Sequence, residues 1–281
     1  MRLAIFSDIH GKILLPFKLV DLYQQETGEK IDCILQCGDI GCYPDLDKLD
    51  KATIKHAKND RDELGFHDYF TEEIPEIKAF LEELDINMIC VRGNHEDHDY
   101  LDQLESKNLA KNRFPIDAYN RVYVCKSGHT QEVSIGEERL SFVGIGRIGD
   151  RKGRTNKRFI QTYEKQAIDQ LLGTKDIFDI LITHDKDDSS SRGYGMAEIR
   201  KVLDNVLFHY HFYGHTGELY KEEMDANGIT KSIKVKELEF NESGILEEGA
   251  MIILEKAGEE MSIKVVSQKL TNRLTKYNWK N

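Results

Sequence analysis

Asp8-Ile9-His10, Gly38-Asp39, Gly93-Asn94-His95-Glu96, Thr183-His184-Asp185 and Gly214-His215-Thr216-Gly217 are the places in this 281-residue chain where carboxylate, carboxamide and imidazole side chains gather. Such oxygen and imidazole donors suit borderline divalent cations, Mn, Fe, Zn, Co or Ni rather than Ca. A carboxylate shared by two of these ions would hold them a few ångströms apart. A water between them would ionise near neutral pH and attack phosphorus in line. The ions would also neutralise charge growing on the non-bridging oxygens.

Each signature follows directly on a short apolar run: Leu3–Phe6, Ile31–Leu35, Met88–Val91, Ile177–Ile182 and Phe208–Tyr213. Runs of this length and composition predict buried strands. If the strands shared one sheet, their carboxyl ends would bring the Asp, Asn and His side chains to one edge. Helices are expected over Leu14–Gln25, with Pro16 in the first turn and Gly28 past the end, and over Glu72–Leu84, Thr162–Leu172 and Met196–Val206. Arg121–Cys125, Gln131–Ile135 and Leu140–Ile145 read as strands, the last two joined by a hairpin turn at Gly136-Glu137-Glu138. Two further strands, Ala250–Leu254 and Met261–Val266, flank a turn at Ala257-Gly258. This alternation implies an α/β fold with two sheets sandwiched between helices. Residues 43–70 differ, being dense in charge and poor in apolar periodicity. They predict a partly helical surface insertion over the edge where Asp39 lies.

The chain is long enough for one large domain or two small ones. No stretch approaches the roughly 18–20 apolar residues of a membrane span. No secretory leader is expected, because Leu3–Phe6 runs straight into Asp8 and His10. Five cysteines without disulfide or zinc-knuckle spacing fit a reducing cytoplasm, and Cys33 and Cys90 read as small buried hydrophobes. The net charge of −11 argues against a long polyanion such as RNA as partner but not against a small phosphate ester. His209 and His211 share one strand face and read as hydrogen-bonded; His56, His67, His98 and His129 read as solvated.

In order and spelling the five signatures resemble the calcineurin-like metallophosphoesterase superfamily, whose pattern runs Asp-x-His, Gly-Asp, Gly-Asn-His-Asp/Glu, His and Gly-His-x-His. The resemblance extends from Asp8 to Thr216. It implies two mixed sheets between helices, with residues 1–266 as one metallophosphoesterase domain carrying the insertion and 267–281 as a polar tail, helical or disordered. It also implies two divalent metals, manganese foremost, with Fe, Zn, Co or Ni as alternatives. Carried over by motif, Asp8 and His10 bind the first metal, Asp39 bridges, and Asn94, His184 and His215 bind the second. The catalytic set is then Asp39, Asn94 and His95. His95 matches the family histidine that protonates the leaving group, with Glu96 or a nearby carboxylate orienting its ring. The expected reaction is hydrolysis of a phosphomonoester or phosphodiester, on a small phosphate ester or short nucleotide, through a hydroxide bridging the metals. A catalytically weak metal-binding module of the same fold and an RNA-processing phosphodiesterase are the alternatives.

The stretch Gly146–Arg158 holds Arg147, Arg151 and Arg154 and follows a predicted strand, so it is either a solvated basic loop or an anion clamp. Arg92, just before Gly93, is a further candidate for binding substrate. Cys37-Gly38-Asp39, the insertion, and Tyr100-Leu101 after the Gly-Asn-His-Glu block are similar to RNA lariat-debranching enzymes and their prokaryotic relatives. That branch usually carries Cys at the position of Asp8 and keeps the last His. Gly217 stands where much of the superfamily has this His, a ligand to the first metal. Three replacements suggest themselves: water, as in the serine/threonine protein phosphatase branch, the carboxylate of Glu218, or weak binding of the first metal. Water is the expectation.

Overall fold

Strand periodicity decides how two β-sheets stack in this protein, since alternate side chains point to opposite faces. The computed structural model describes residues 1–173, 177–188 and 193–280. The first half of the chain supplies β1 (Arg2–Phe6), β2 (Cys33–Gln36), β3 (Met88–Cys90), β4 (Arg113–Pro115) and β5 (Val122–Cys125). Its helices are α1 (Leu14–Thr27), α2 (Lys51–Ala57), α3 (Gly65–Phe70), α4 (Pro75–Leu84) and α5 (His98–Lys107). The second half supplies β6 (Thr130–Ile135), β7 (Glu138–Ile145), β8 (Ile177–Thr183), β9 (Leu207–Tyr213), β10 (Lys221–Met224) and β11 (Lys231–Lys234), with α6 (Thr162–Leu171) and α7 (Ala197–Asn205). The chain then returns through β12 (Ile252–Ala257), β13 (Glu260–Val265) and α8 (Gln268–Thr271).

The first sheet runs β13-β12-β1-β2-β3-β5-β4 and the second β10-β11-β9-β8-β7-β6. Both are mixed: parallel strands form each centre and antiparallel hairpins each edge. Leu3 and Ile5 of β1 face the second sheet and meet Phe142, Ile180, Ile182 and Phe212 there, whereas Ala4 and Phe6 face the helical layer containing α1. On the far side, α6 and α7 cover Val143, Ile145 and Leu181. The order is helix, sheet, sheet, helix.

Two expectations shift. The signature strands do not share a sheet: β1, β2 and β3 belong to the first, β8 and β9 to the second. β10, on an edge with all four residues exposed, lacks the apolar alternation that would reveal it, and α5 also escapes the sequence reading. All five cysteines are free and buried.

The insertion and the tail are joined. Residues 43–70 fold as α2, α3 and short 3-10 turns, with Phe66 and Phe70 entering the core beside α1. The tail, expected to be helical or disordered, turns after α8 and buries Trp279, only 2% exposed, in the same core. The Trp279 indole donates to Asp62 of the insertion over 3.1 Å, and Lys280 pairs with the same carboxylate. Asn281 lies outside the described residues. Trp279→Ala is expected to cost about 3–5 kcal/mol, the range for emptying a buried aromatic site. Urea unfolding measures it, and a loss below about 1 kcal/mol would show the tail to be a dispensable appendage.

Candidate metal centre

Two loops, one after β1 and one after β2, build the first half of the centre. They are zipped by backbone hydrogen bonds: Asp8 N–H to Gly38 O at 3.0 Å, Ile9 and His10 N–H to Asp39 O at 3.0 Å each, and Gly11 N–H to Ile40 O at 2.8 Å. Asp8, His10 and Asp39 all adopt positive φ, 48°, 39° and 53°. Non-glycine residues rarely hold such backbone angles, which cost energy and cluster where function over-determines geometry.

Asp39 is the hub. Its Oδ1 accepts the backbone N–H groups of Asn94 (2.6 Å) and His95 (2.8 Å) and lies 3.3 Å from His184 Nε2. Its Oδ2 lies 4.0 Å from His10 Nε2. So tight an approach of the third loop requires glycine at 93, where a Cβ would stand 2.0 Å from the Asp39 nitrogen and Oδ1. Burial disfavours the Asp39 carboxylate, but His184, and then His95 and His10, hold its pKa well below the usual range.

The remaining donors come from the second sheet. His184 Nδ1 bonds the Cys37 carbonyl at 2.9 Å, which turns Nε2 toward Asp39 and to 3.1 Å from Asn94 Oδ1. This second bond fixes the ring as metal-binding histidines are usually fixed. Burial works against the charged imidazole of His184, but Asp39 outweighs it and raises the pKa to about 9. His215 takes φ 65° and donates its N–H to both Asp8 oxygens at 3.1 Å, while its buried Nε2 has no hydrogen-bond partner among the described residues. A buried imidazole nitrogen left without a partner is a position open to a ligand.

Two groups of donors, Asp8–His10–Asp39 and Asp39–His184–His215, each have their ligand atoms within 4.8 Å of one another, and they share Asp39. Carboxylate and imidazole donors of this kind fit two borderline divalent cations. Every residue expected to bind metal reaches this place, with Asn94 alongside the second group.

His95 stands beside it, its ring centroid 5.5 Å from that of His10. Its Nδ1 meets Asp50 Oδ2 at 2.5 Å. Asp50 is held in turn by Tyr43 Oη (2.8 Å) and by the N–H groups of Ala52 (2.7 Å) and Thr53 (2.9 Å) at the start of α2. Burial lowers the His95 pKa, but the Asp50 hydrogen bond and the Asp39 charge raise it to about 9. The orienting carboxylate is thus Asp50, not Glu96. Buried Glu96 instead accepts N–H groups of Ile40, Cys42 (2.8 Å each) and Gly93 (3.1 Å), pinning the second loop to the third.

The four arginines expected to contact substrate sit away from the cavity wall. Arg92, 2% exposed, pairs with Asp102 at 2.6 Å and with Glu105. Arg147, fully buried, pairs with Glu164 at 2.8 Å and Asp102 at 3.0 Å. Both side chains point toward acids on α5 and α6, away from the centre, and serve as buried struts. Arg154 pairs with Asp150 at 2.8 Å and stacks 3.8 Å over Phe159; Arg151 donates to the Tyr194 carbonyl. None of the four lines the cavity of about 330 Å³ at the centre. That cavity is lined by Asp8, His10, Asp39, His95 and His215 together with residues the sequence did not single out for it: His56, Glu63, Tyr194, Glu237 and Glu239. His56 therefore faces the site rather than solvent alone. His98 is buried 3.3 Å from Arg147, and His211 bonds Thr183 and Ser232 as expected. Asp50 carries a readable signal, an Asp three residues before Thr53 in the pattern of a helix N-cap.

Hydrolysis of phosphate esters with divalent metal is the chemistry such an arrangement serves. Residues 1–218 match the family model of the calcineurin-like phosphoesterases, and the chain belongs to that family. It is a metal-dependent phosphoesterase. Among curated proteins, no sequence matches it. Among solved structures it is similar to the TT1561 protein of Thermus thermophilus, with 14% identity, a TM-score of 0.52, and coverage of 94% of this chain and 98% of that one. It is also similar to GAP50, described as the anchor in the inner membrane complex of Plasmodium, with 14% identity, a TM-score of 0.50, and coverage of 96% and 85%. At this identity the likeness is one of fold.

Proposed function

We propose that the protein hydrolyses a small phosphomonoester or phosphodiester with two divalent ions, manganese foremost, held on either side of Asp39. The observation that carries this reading is the sharing of Asp39 by two donor groups beside a carboxylate-backed histidine. Asp8, His10 and Asp39 would hold one ion, and Asp39, Asn94, His184 and His215 the other. When bound, such a pair supplies an ionised water near neutral pH and neutralises charge on the phosphoryl oxygens. His95, protonated at neutral pH and backed by Asp50, gives its Nε2 proton to the departing oxygen. Asn94 holds its amide oxygen toward His184 while its N–H fixes Asp39.

The cavity size supports a small substrate, and its lining of Asp8, Asp39, Glu63, Glu237 and Glu239 without lysine or arginine among the described residues disfavours a long RNA. No helix among the described residues is long and apolar enough to cross a membrane. The free cysteines support a reducing compartment such as the cytoplasm.

Purified protein is expected to hydrolyse p-nitrophenyl or bis-p-nitrophenyl phosphate with added Mn, to lose turnover on chelation and to recover it when Mn returns. Two ions per chain with no turnover on either ester would leave only the metal-binding module.

A further inference from the structure

Gly217 leaves the first metal with one side chain fewer than the family pattern provides, and the structure shows what stands nearest to it. Among the described residues, a Cβ built on Gly217, at φ 68°, meets a single heavy atom within ordinary contact distance, Oε1 of Glu237 at 3.5 Å. This acid is twenty residues downstream, yet its position is fixed by backbone. Glu237 pairs with Ser7 in a parallel bridge, and Leu238 donates its N–H to Ser7 O at 2.9 Å. Ser7 immediately precedes Asp8, so the pairing sets Glu237 beside the start of the first loop. Extended-chain alternation then sends Leu238 into the core, fully buried, and turns Glu237 and Glu239 toward the cavity that both line.

The two acids are not equivalent. Glu239 lies against His10, its Oε1 3.8 Å from His10 Nε2, and is not the atom nearest Gly217. Glu237 has Oε2 3.9 Å from Lys236 Nζ, which leaves Oε1 as the oxygen facing Gly217. Glu218, the replacement nearest in sequence, is exposed, and its Oε2 accepts from Thr216 Oγ1 at 3.1 Å within its own turn.

We propose that Glu237 supplies the first metal with the protein ligand that Gly217 does not, in preference to water alone. The proposal rests on the two-ion reading above. It changes the character of the site: Asp8, Asp39 and Glu237 set three carboxylates against one imidazole, His10. A ligand set richer in hard anionic oxygen favours Mn over the softer, nitrogen-preferring ions.

Mn binding to metal-stripped protein, followed by calorimetry and by metal analysis after dialysis, tests it on Glu237→Gln, Glu239→Gln and the double variant Gly217→His with Glu237→Gln. In Glu237→Gln, first-site affinity is expected to fall by about 10–100-fold or more, with the second site unchanged. Glu239→Gln, whose carboxylate lies beside His10, should weaken the site by clearly less than Glu237→Gln does, and an equal loss overturns the assignment to Glu237. The double variant should recover the first site, since histidine tolerates this backbone, as His215 does at φ 65°. Thermal unfolding of the metal-free variants separates lost ligation from lost fold: an unshifted midpoint assigns the deficit to ligation, and a midpoint that falls with the affinity overturns the assignment unless the double variant restores binding. Two ions bound with wild-type affinity by Glu237→Gln overturn this proposal alone. A wild-type protein that takes up only one ion overturns the two-ion reading and this proposal with it.

Discussion

Asp39→Asn is expected to lower kcat/KM on p-nitrophenyl phosphate by about 10³-fold or more, roughly 4 kcal/mol of transition-state stabilisation. Loss of a single preorganised electrostatic contact in an active site typically costs about 10²–10³-fold. Asp39 serves both donor groups, so its effect belongs at or above the upper end. Asparagine keeps the volume and can still present an oxygen to the Asn94 and His95 N–H groups. What it removes is the negative charge that His184, His95 and His10 share. The fold should survive and metal content should drop, a combination read by circular dichroism and metal analysis on the same sample. A variant that retained a tenth of wild-type activity would show that the shared carboxylate of Asp39 is not needed.

The second large effect concerns proton supply. Asp50→Asn is expected to reduce kcat at pH 8 by about 10²-fold, near the lower bound for losing a general acid. In the wild type, Asp50 and Asp39 overcome burial and keep His95 protonated up to about pH 9. Without Asp50, only the Asp39 charge is left to oppose burial and the His95 pKa falls, so the alkaline limb of the kcat profile should move to lower pH. The linkage has a definite sign. His95, raised above its unfolded value, adds stability that is complete below about pH 6.5 and is lost as pH rises through about 9. Asp50 has its pKa lowered despite burial, by the His95 hydrogen bond and charge. It adds stability above the ordinary carboxylate range that is lost as pH falls toward its depressed value. Asp50→Asn should therefore destabilise most near neutral pH. An alkaline limb that stayed in place would assign proton transfer to another group.

Much of this centre was legible because it is written at strand ends. Asp8, Asp39, Asn94, His184 and His215 each follow an apolar run, and a run that stops abruptly at a polar residue marks where a strand meets the edge of its sheet. The arginines misled for a physical reason. Arg92 and Arg147 occupy the right places along the backbone, but their side chains go to Asp102, Glu105 and Glu164, and a helical acid in an unaligned sequence does not announce its partner. Asp50 and Glu237 were missed for another reason. Both reach the site through pairings between segments distant in the chain: Asp50 through an insertion held by Trp279 and the core, Glu237 through the Ser7 bridge. Local periodicity carries no record of such register.

The acidic lining of the cavity also governs the order in which its guests can arrive. Five carboxylates, with no lysine or arginine among the described lining residues and a protonated His95 to offset only part of their charge, make the mouth repel phosphate esters until cations have reversed its sign. Divalent ions then act as an admission requirement as well as a tool of the reaction. Scarcity of metal would silence this protein first by turning substrate away, before any slowing of chemistry could be felt.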